Sequence, residues 1–214
     1  MPDIDFARVF IAFIVLLFSL TVHETAHAWT ADRLGDSTAR LLGRVSLNPI
    51  VHADPIGTIL FPLLGMLGAA PFLIGWAKPV PVNVQRLRHG RRDYVLVAAA
   101  GPLSNLVLAV GASTALSLLT VSPMRVGEPN VSAPLAALLS QAMTMNVLLA
   151  VFNMIPIPPL DGGNVLMGLL PPRLAASVNY VRPYGFILLY VLMLTGRLWD
   201  IIGPPSSALV SWLQ

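Results

Sequence analysis

Residues 4–31 read IDFARVFIAFIVLLFSLTVHETAHAWTA. The run is apolar over enough length to cross a hydrocarbon core of about 30 Å at about 1.5 Å per helical residue. Its last third nevertheless carries His23, Glu24 and His27. An aspartate-like charge at mid-bilayer costs about 3 kcal/mol on insertion scales, so three ionisable groups in one span need an ion or a polar network to offset them. On a helix, His23 and His27 project from one face, close enough for their imidazole nitrogens to hold a single Zn²⁺. Glu24, directly after the first histidine, is placed to take a proton from water activated by that metal. The rival reading, a chance pattern of the kind found in soluble chains, does not account for its burial in a span.

Composition extends this reading to the whole chain. Of 214 residues, 56% are hydrophobic and 11% charged, and the mean hydropathy is +0.75. A soluble domain carries about a quarter of its residues charged, so lipid is the expected solvent here, around a single membrane-embedded domain over 1–214. The net charge of +3 does not point to nucleic acid. The basic residues sit in short segments between apolar runs, as in cytoplasmic loops, and no nucleic-acid module is visible. Cysteine is absent, which excludes thiolate ligands and disulfides. Acids at Asp3 and Asp5, and no small-residue cleavage site, mark the first run as a retained span rather than a signal peptide.

Further spans are expected at about Tyr94–Val121, Leu135–Ile155 and Pro183–Ile202. Residues 39–47 alternate imperfectly and read as one or two short membrane-edge strands. Residues 56–74 are apolar but interrupted by glycine and proline. Basic residues flank them on both sides, so a re-entrant hairpin turning near Gly65 to Gly68 is expected. The fold class is therefore an all-α polytopic membrane protein: about four spans, a hairpin and short strands. The core runs over about 4–170, with an extra span at about 183–202. With both termini outside, ten of the thirteen Lys and Arg lie on the cytoplasmic side.

Two histidines leave a catalytic zinc one protein ligand short. His89 sits in a solvated basic loop, and Asp54 before Pro55 reads as a cap; His52 is at the membrane edge. Asp161 lies in an apolar setting after Pro156, Pro158 and Pro159 and before Gly162-Gly163. A backbone broken in this way at membrane depth is tolerated where it lines a cavity. Its bland alternative is a helix cap on the segment that follows. Asn105 and Asn153 are amides within spans. Asn105 serves either as interhelical glue or as a hydrogen-bond donor to an oxyanion or substrate backbone; Asn153 reads as glue or a substrate clamp. Residues 75–83, GWAKPVPVN, are too proline-rich for helix and form either a loop or an extended edge for an added substrate strand.

Taken together, HETAH at 23–27, GWAKPVPVN at 75–83, AGPLSN at 100–105 and NMIPIPPLDGG at 153–163 resemble the site-2 protease family of intramembrane metalloproteases, in its compact form without a PDZ domain. The resemblance implies Asp161 as third ligand to one Zn²⁺ per chain, and Asn105 assisting near the scissile peptide. It also implies a cell-membrane, multi-pass protein whose site is open to the cytoplasm and whose substrates are single transmembrane helices. Two rivals are a metal transporter and a non-catalytic scaffold. An intact Glu24 between spaced histidines weighs against both.

Overall fold

The structure, a computed structural model, describes residues 5–67, 76–121 and 132–214. Helix α1 spans Phe6–Arg33, and the Asp5 carboxylate caps it by accepting from the N–H groups of Ala7 and Arg8. Its buried stripe runs through Leu16, Ser19, His23, His27 and Ala31, while Phe6, Phe10, Ile14 and Phe18 face outward. Polar groups inside and large apolar groups outside is the pattern that lipid imposes on a spanning helix.

After α1 come α2 (Thr38–Leu41) and α3 (Pro49–His52), then a π-helical turn (Pro55–Leu60) that continues into α4 (Phe61–Met66). The strands expected over 39–47 do not form, and no strand occurs among the described residues. Local capping wins over the weak alternation. Asp36 accepts from the Thr38 N–H and starts the helical turn, and Gly43, at φ 70°, ends it. Side chains of this type divert the backbone from pairing. The re-entrant hairpin is not supported either. Pro55–Met66 forms one helical limb, and residues 68–75, which hold most of the expected turn and return, lie outside the described residues.

Helix α5 (Arg91–Val121) is the central element and packs against α1, against α6 (Ser132–Asn153) and against α7 (Asp161–Leu169). Small side chains such as Ala109, Ala112 and Ala150 are buried between these helices, which allows close backbone approach where lipid supplies no hydrophobic drive. The chain continues through α8 (Pro172–Val181), a 3₁₀ turn (Arg182–Tyr184), α9 (Gly185–Leu194) and α10 (Arg197–Leu213).

Among the described residues, four helical segments are long and apolar enough to cross a membrane: Phe6–Arg33, Arg91–Leu119, Ala133–Asn153 and Pro172–Leu194. The last departs from the expected Pro183–Ile202. It starts earlier and stops at Gly196, whose φ of 75° is left-handed and breaks the helix before α10. Leu198 and Ile202 of α10 then pack on Ile155 after α6, and the Ser113 hydroxyl donates to the Leu213 carbonyl.

Candidate metal centre

His23 and His27 stand one turn apart on the buried face of α1. Across from them, α7 begins at Asp161. The N-cap position falls to Leu160, which has no capping side chain, so the cap reading of Asp161 does not describe its geometry. Its carboxylate turns to the histidines instead, with Oδ2 3.0 Å from His23 Nε2 and 3.3 Å from His27 Nε2. The two Nε2 atoms are themselves 3.0 Å apart. Gly162 and Gly163 make this approach possible. A Cβ on Gly162 would run into the Met154 and Ile155 backbone, and one on Gly163 into the backbone of Ile157 and Pro158. The sharp return between α6 and α7 therefore needs both glycines.

The protonation of the two rings follows from what holds them. Asn146 Nδ2 donates to the Ala142 carbonyl (2.8 Å), which leaves Asn146 Oδ1 as acceptor for Asn105 Nδ2 (2.8 Å). Asn105 Oδ1 then faces His23 Nδ1 at 2.6 Å, so that nitrogen carries the proton. His27 Nδ1 likewise donates to the Val97 carbonyl at 2.7 Å. Both Nε2 lone pairs are thereby directed at the Asp161 carboxylate. The two Nε2 atoms meet at the buried Oδ2 of Asp161, which has no hydrogen-bond partner.

Such a donor set is suited to a cation. Zinc bonds of about 2.0–2.1 Å in tetrahedral geometry put ligand atoms about 3.3–3.4 Å apart, close to the spacing found here. His23, His27 and Asp161 also form the one group of potential metal ligands among the described residues. Gly101 on α5 provides the room, since a Cβ there would crowd both Nε2 atoms.

Glu24 lies beside the triad, lining a cavity of about 520 Å³ together with Val80, Tyr94, Asn153 and Arg182. Its Oε2 accepts from the Val80 N–H at 3.2 Å. Val80 belongs to residues 76–83, a non-helical segment held in place by its backbone. Trp76 N donates to Gly57 O (3.0 Å) and Lys78 N to His52 O (2.8 Å). The Trp76 ring covers Gly57, where a Cβ would collide with it.

Asn105, expected near the scissile peptide, lies behind His23, fully buried, with its carboxamide engaged by His23, Asn146 and the Ser19 carbonyl. Asn153 does reach the cavity. His52 sits apart, against the Ser46 carbonyl (2.8 Å), and Asp54 caps the π-helical turn through the N–H groups of Ile56 and Gly57. His89 pairs with Asp93 outside the site. The sequence reading did not single out Asn146, whose only mark was a polar amide in an apolar run, nor Tyr94 and Arg182.

Fold and site together define the class of membrane-embedded metallohydrolases. Residues 11–193 match Peptidase family M50. "Putative zinc metalloprotease YwhC" of Bacillus subtilis is 41% identical over 182 residues, covering 85% of this chain and 79% of the relative. "Putative zinc metalloprotease Rip2" of Mycolicibacterium smegmatis is 31% identical over 183 residues, 85% of this chain and 66% of the relative. The protein of the same name from Mycobacterium tuberculosis strain H37Rv is 29% identical over 201 residues, 90% and 70% of the two chains. No solved structure matches. The chain belongs to Peptidase family M50 and is a zinc metalloprotease of the site-2 type.

Proposed function

We propose that this single-domain protein cleaves peptide bonds in or near the transmembrane segments of membrane proteins, in regulated intramembrane proteolysis. In this reading His23, His27 and Asp161 hold one zinc ion and Glu24 is the general base. The observation that carries it is the meeting of two imidazole nitrogens and an otherwise unpartnered carboxylate oxygen, within 3.0–3.3 Å, beside a glutamate that lines the same cavity. The cell membrane is the proposed location, with the site open to the cytoplasm. The support is positional, since eight of the thirteen Lys and Arg fall from Arg33 to Arg92, between the first two spans.

Zinc, when bound, supplies a Lewis acid that polarises the scissile carbonyl and acidifies water. Glu24 removes a proton from the attacking water and returns it to the departing amine. Its carboxylate is kept oriented by the Val80 N–H. Asn105 acts from behind, holding the His23 ring and its tautomer, and is a positioning residue rather than a contact to substrate. A substrate helix hides its carbonyls in its own hydrogen bonds, so it unwinds before cleavage. Residues 76–83 are the proposed dock for the unwound stretch. Pro79 and Pro81 hold this segment extended together with the residues before them. Trp76, Lys78 and Val80 turn their N–H groups toward the protein, which leaves the carbonyls of the alternate residues for a substrate strand.

The test is zinc content and peptide cleavage by wild type, Asp161→Ala and Glu24→Gln in detergent. The expected results are about one zinc per chain in wild type, loss of zinc in Asp161→Ala, and zinc retained with activity lost in Glu24→Gln. Full zinc without Asp161 would send the third ligand elsewhere. An active Glu24→Gln would remove the base.

A further inference from the structure

Val80 holds Glu24, and the segment carrying Val80 is itself tied down by a carboxylate that lies outside every motif quoted above. Asp36 is fully buried just beyond α1. Its Oδ1 accepts from the Thr38 N–H (3.1 Å) and hydroxyl (2.5 Å), and its Oδ2 accepts from the Asn83 N–H at 2.6 Å. Its own N–H donates to the Ala31 carbonyl at 2.9 Å, on the same helix as Glu24 and two turns along it. A closed ring results. It runs from Glu24 down α1 to Ala31, across to Asp36 and Asn83, and back through Pro81 to the Val80 N–H.

We infer that Asp36 is a positioning residue for Glu24, setting through Asn83 the register of residues 76–83 and thereby holding the Val80 N–H against the Glu24 carboxylate. The inference rests on the reading of Glu24 as general base. Only two residues separate Val80 from Asn83, and one is proline with a fixed φ. Val80, preceding it, is confined to extended backbone. A shift at Asn83 is therefore passed to Val80 rather than absorbed. Charge strengthens the tie, because hydrogen bonds to a carboxylate are shorter and stronger than those to a neutral oxygen. Arg86, which donates to the Thr38 hydroxyl (3.2 Å), supplies the countercharge. Burial alone would push the Asp36 carboxyl up, but the hydrogen bonds from Thr38 and Asn83, with Arg86, hold it below its ordinary value.

A double-variant cycle on the full zinc-loaded chain tests this, read with a fluorogenic peptide containing a membrane-length apolar segment. Asp36→Asn has one acceptor oxygen where the carboxylate had two, so it cannot serve Thr38 and Asn83 alike. It is expected to lower kcat about tenfold, with KM within about twofold and zinc content unchanged. Val80→Pro, which deletes the N–H itself, should lower kcat by a similar factor. The two together should fall no more than about twofold below Val80→Pro alone, because they break one linkage. Asp36→Glu keeps the charge and displaces it by one methylene. It is the second variant should Asp36→Asn not fold, and it should show the same non-additivity. Losses that multiply, a kcat unchanged by Asp36 variants, or loss of zinc as the cause of inactivity would each overturn the inference. An active Glu24→Gln would instead sink the base reading beneath it, whereas an inactive Glu24→Gln with a multiplicative cycle would sink only the role of Asp36.

Discussion

An alanine at position 101 sets a methyl carbon against both imidazoles of the proposed metal centre. The Cβ would stand 2.5 Å from His23 Nε2 and nearer still to His27 Nε2. Non-bonded heavy atoms of this size rest at about 3.5 Å or more, so each nitrogen must retreat by about 1 Å. Zinc bonds tolerate only about 0.2 Å. The rings are not free to swing away, since Asn105 holds one at 2.6 Å and the Val97 carbonyl holds the other at 2.7 Å. Overpacking of this kind costs about 1–3 kcal/mol, which is roughly a 5- to 150-fold loss of zinc affinity at 1.4 kcal/mol per tenfold. The assay is a zinc titration against a competing chelator, followed by peptide cleavage at saturating zinc. Gly111→Ala is the control. It lies on the same helix, its Cβ would meet nothing within 4 Å, and it should leave zinc binding untouched. Wild-type zinc affinity in Gly101→Ala would refute the reasoning, because the metal would then have to be held by something other than these two nitrogens.

Asn105→Leu fills nearly the same space but strands the His23 Nδ1–H and the Asn146 carboxamide oxygen; zinc affinity should fall about 10- to 100-fold by the same titration. Gly162→Ala drives a methyl into the backbone of Met154 and Ile155. It should lose about 1–3 kcal/mol in a detergent thermal melt and lower zinc occupancy by withdrawing Asp161. Acid should loosen the segment after α1 through Asp36. Its folded value lies below the ordinary 3.8, so its stabilising contribution is complete above that value and is lost as pH falls from there through the folded one. Hydrogen exchange at Thr38 and Asn83 should speed up below about pH 4 in wild type, and should lack that step in Asp36→Asn.

The parts legible in the sequence were those where lipid leaves no choice. Three spanning runs were placed within a few residues because a helix is the only way to satisfy their backbone in hydrocarbon. Histidines four apart in such a run have one shared face. The edge of the membrane was less legible, because water competes there for every hydrogen bond. Residues 39–47 alternated enough to suggest strands, yet a buried aspartate at one end and a left-handed glycine at the other made them turns. The final span was misplaced for a related reason. Gly196 lies inside the expected run, and its left-handed φ of 75° ends the helix there.

The polar contacts behind the metal centre were illegible for a different reason. Asn105 was visible as an amide in a span, and its residue type fitted both an oxyanion donor and interhelical glue. What separates those readings is which atoms its carboxamide meets, and that depends on Asn146, forty-one residues away on another helix. The Ala142 carbonyl fixes the Asn146 amide, Asn146 fixes Asn105, and Asn105 fixes the proton on His23. Each link is a geometric fact with no local sequence signature. The same holds for Asp36, whose neighbours Gly35 and Ser37 suggest only a turn. In both cases a buried polar group in a low-dielectric interior needs all its partners, so following each partner in turn leads back to the metal centre and to the glutamate beside it.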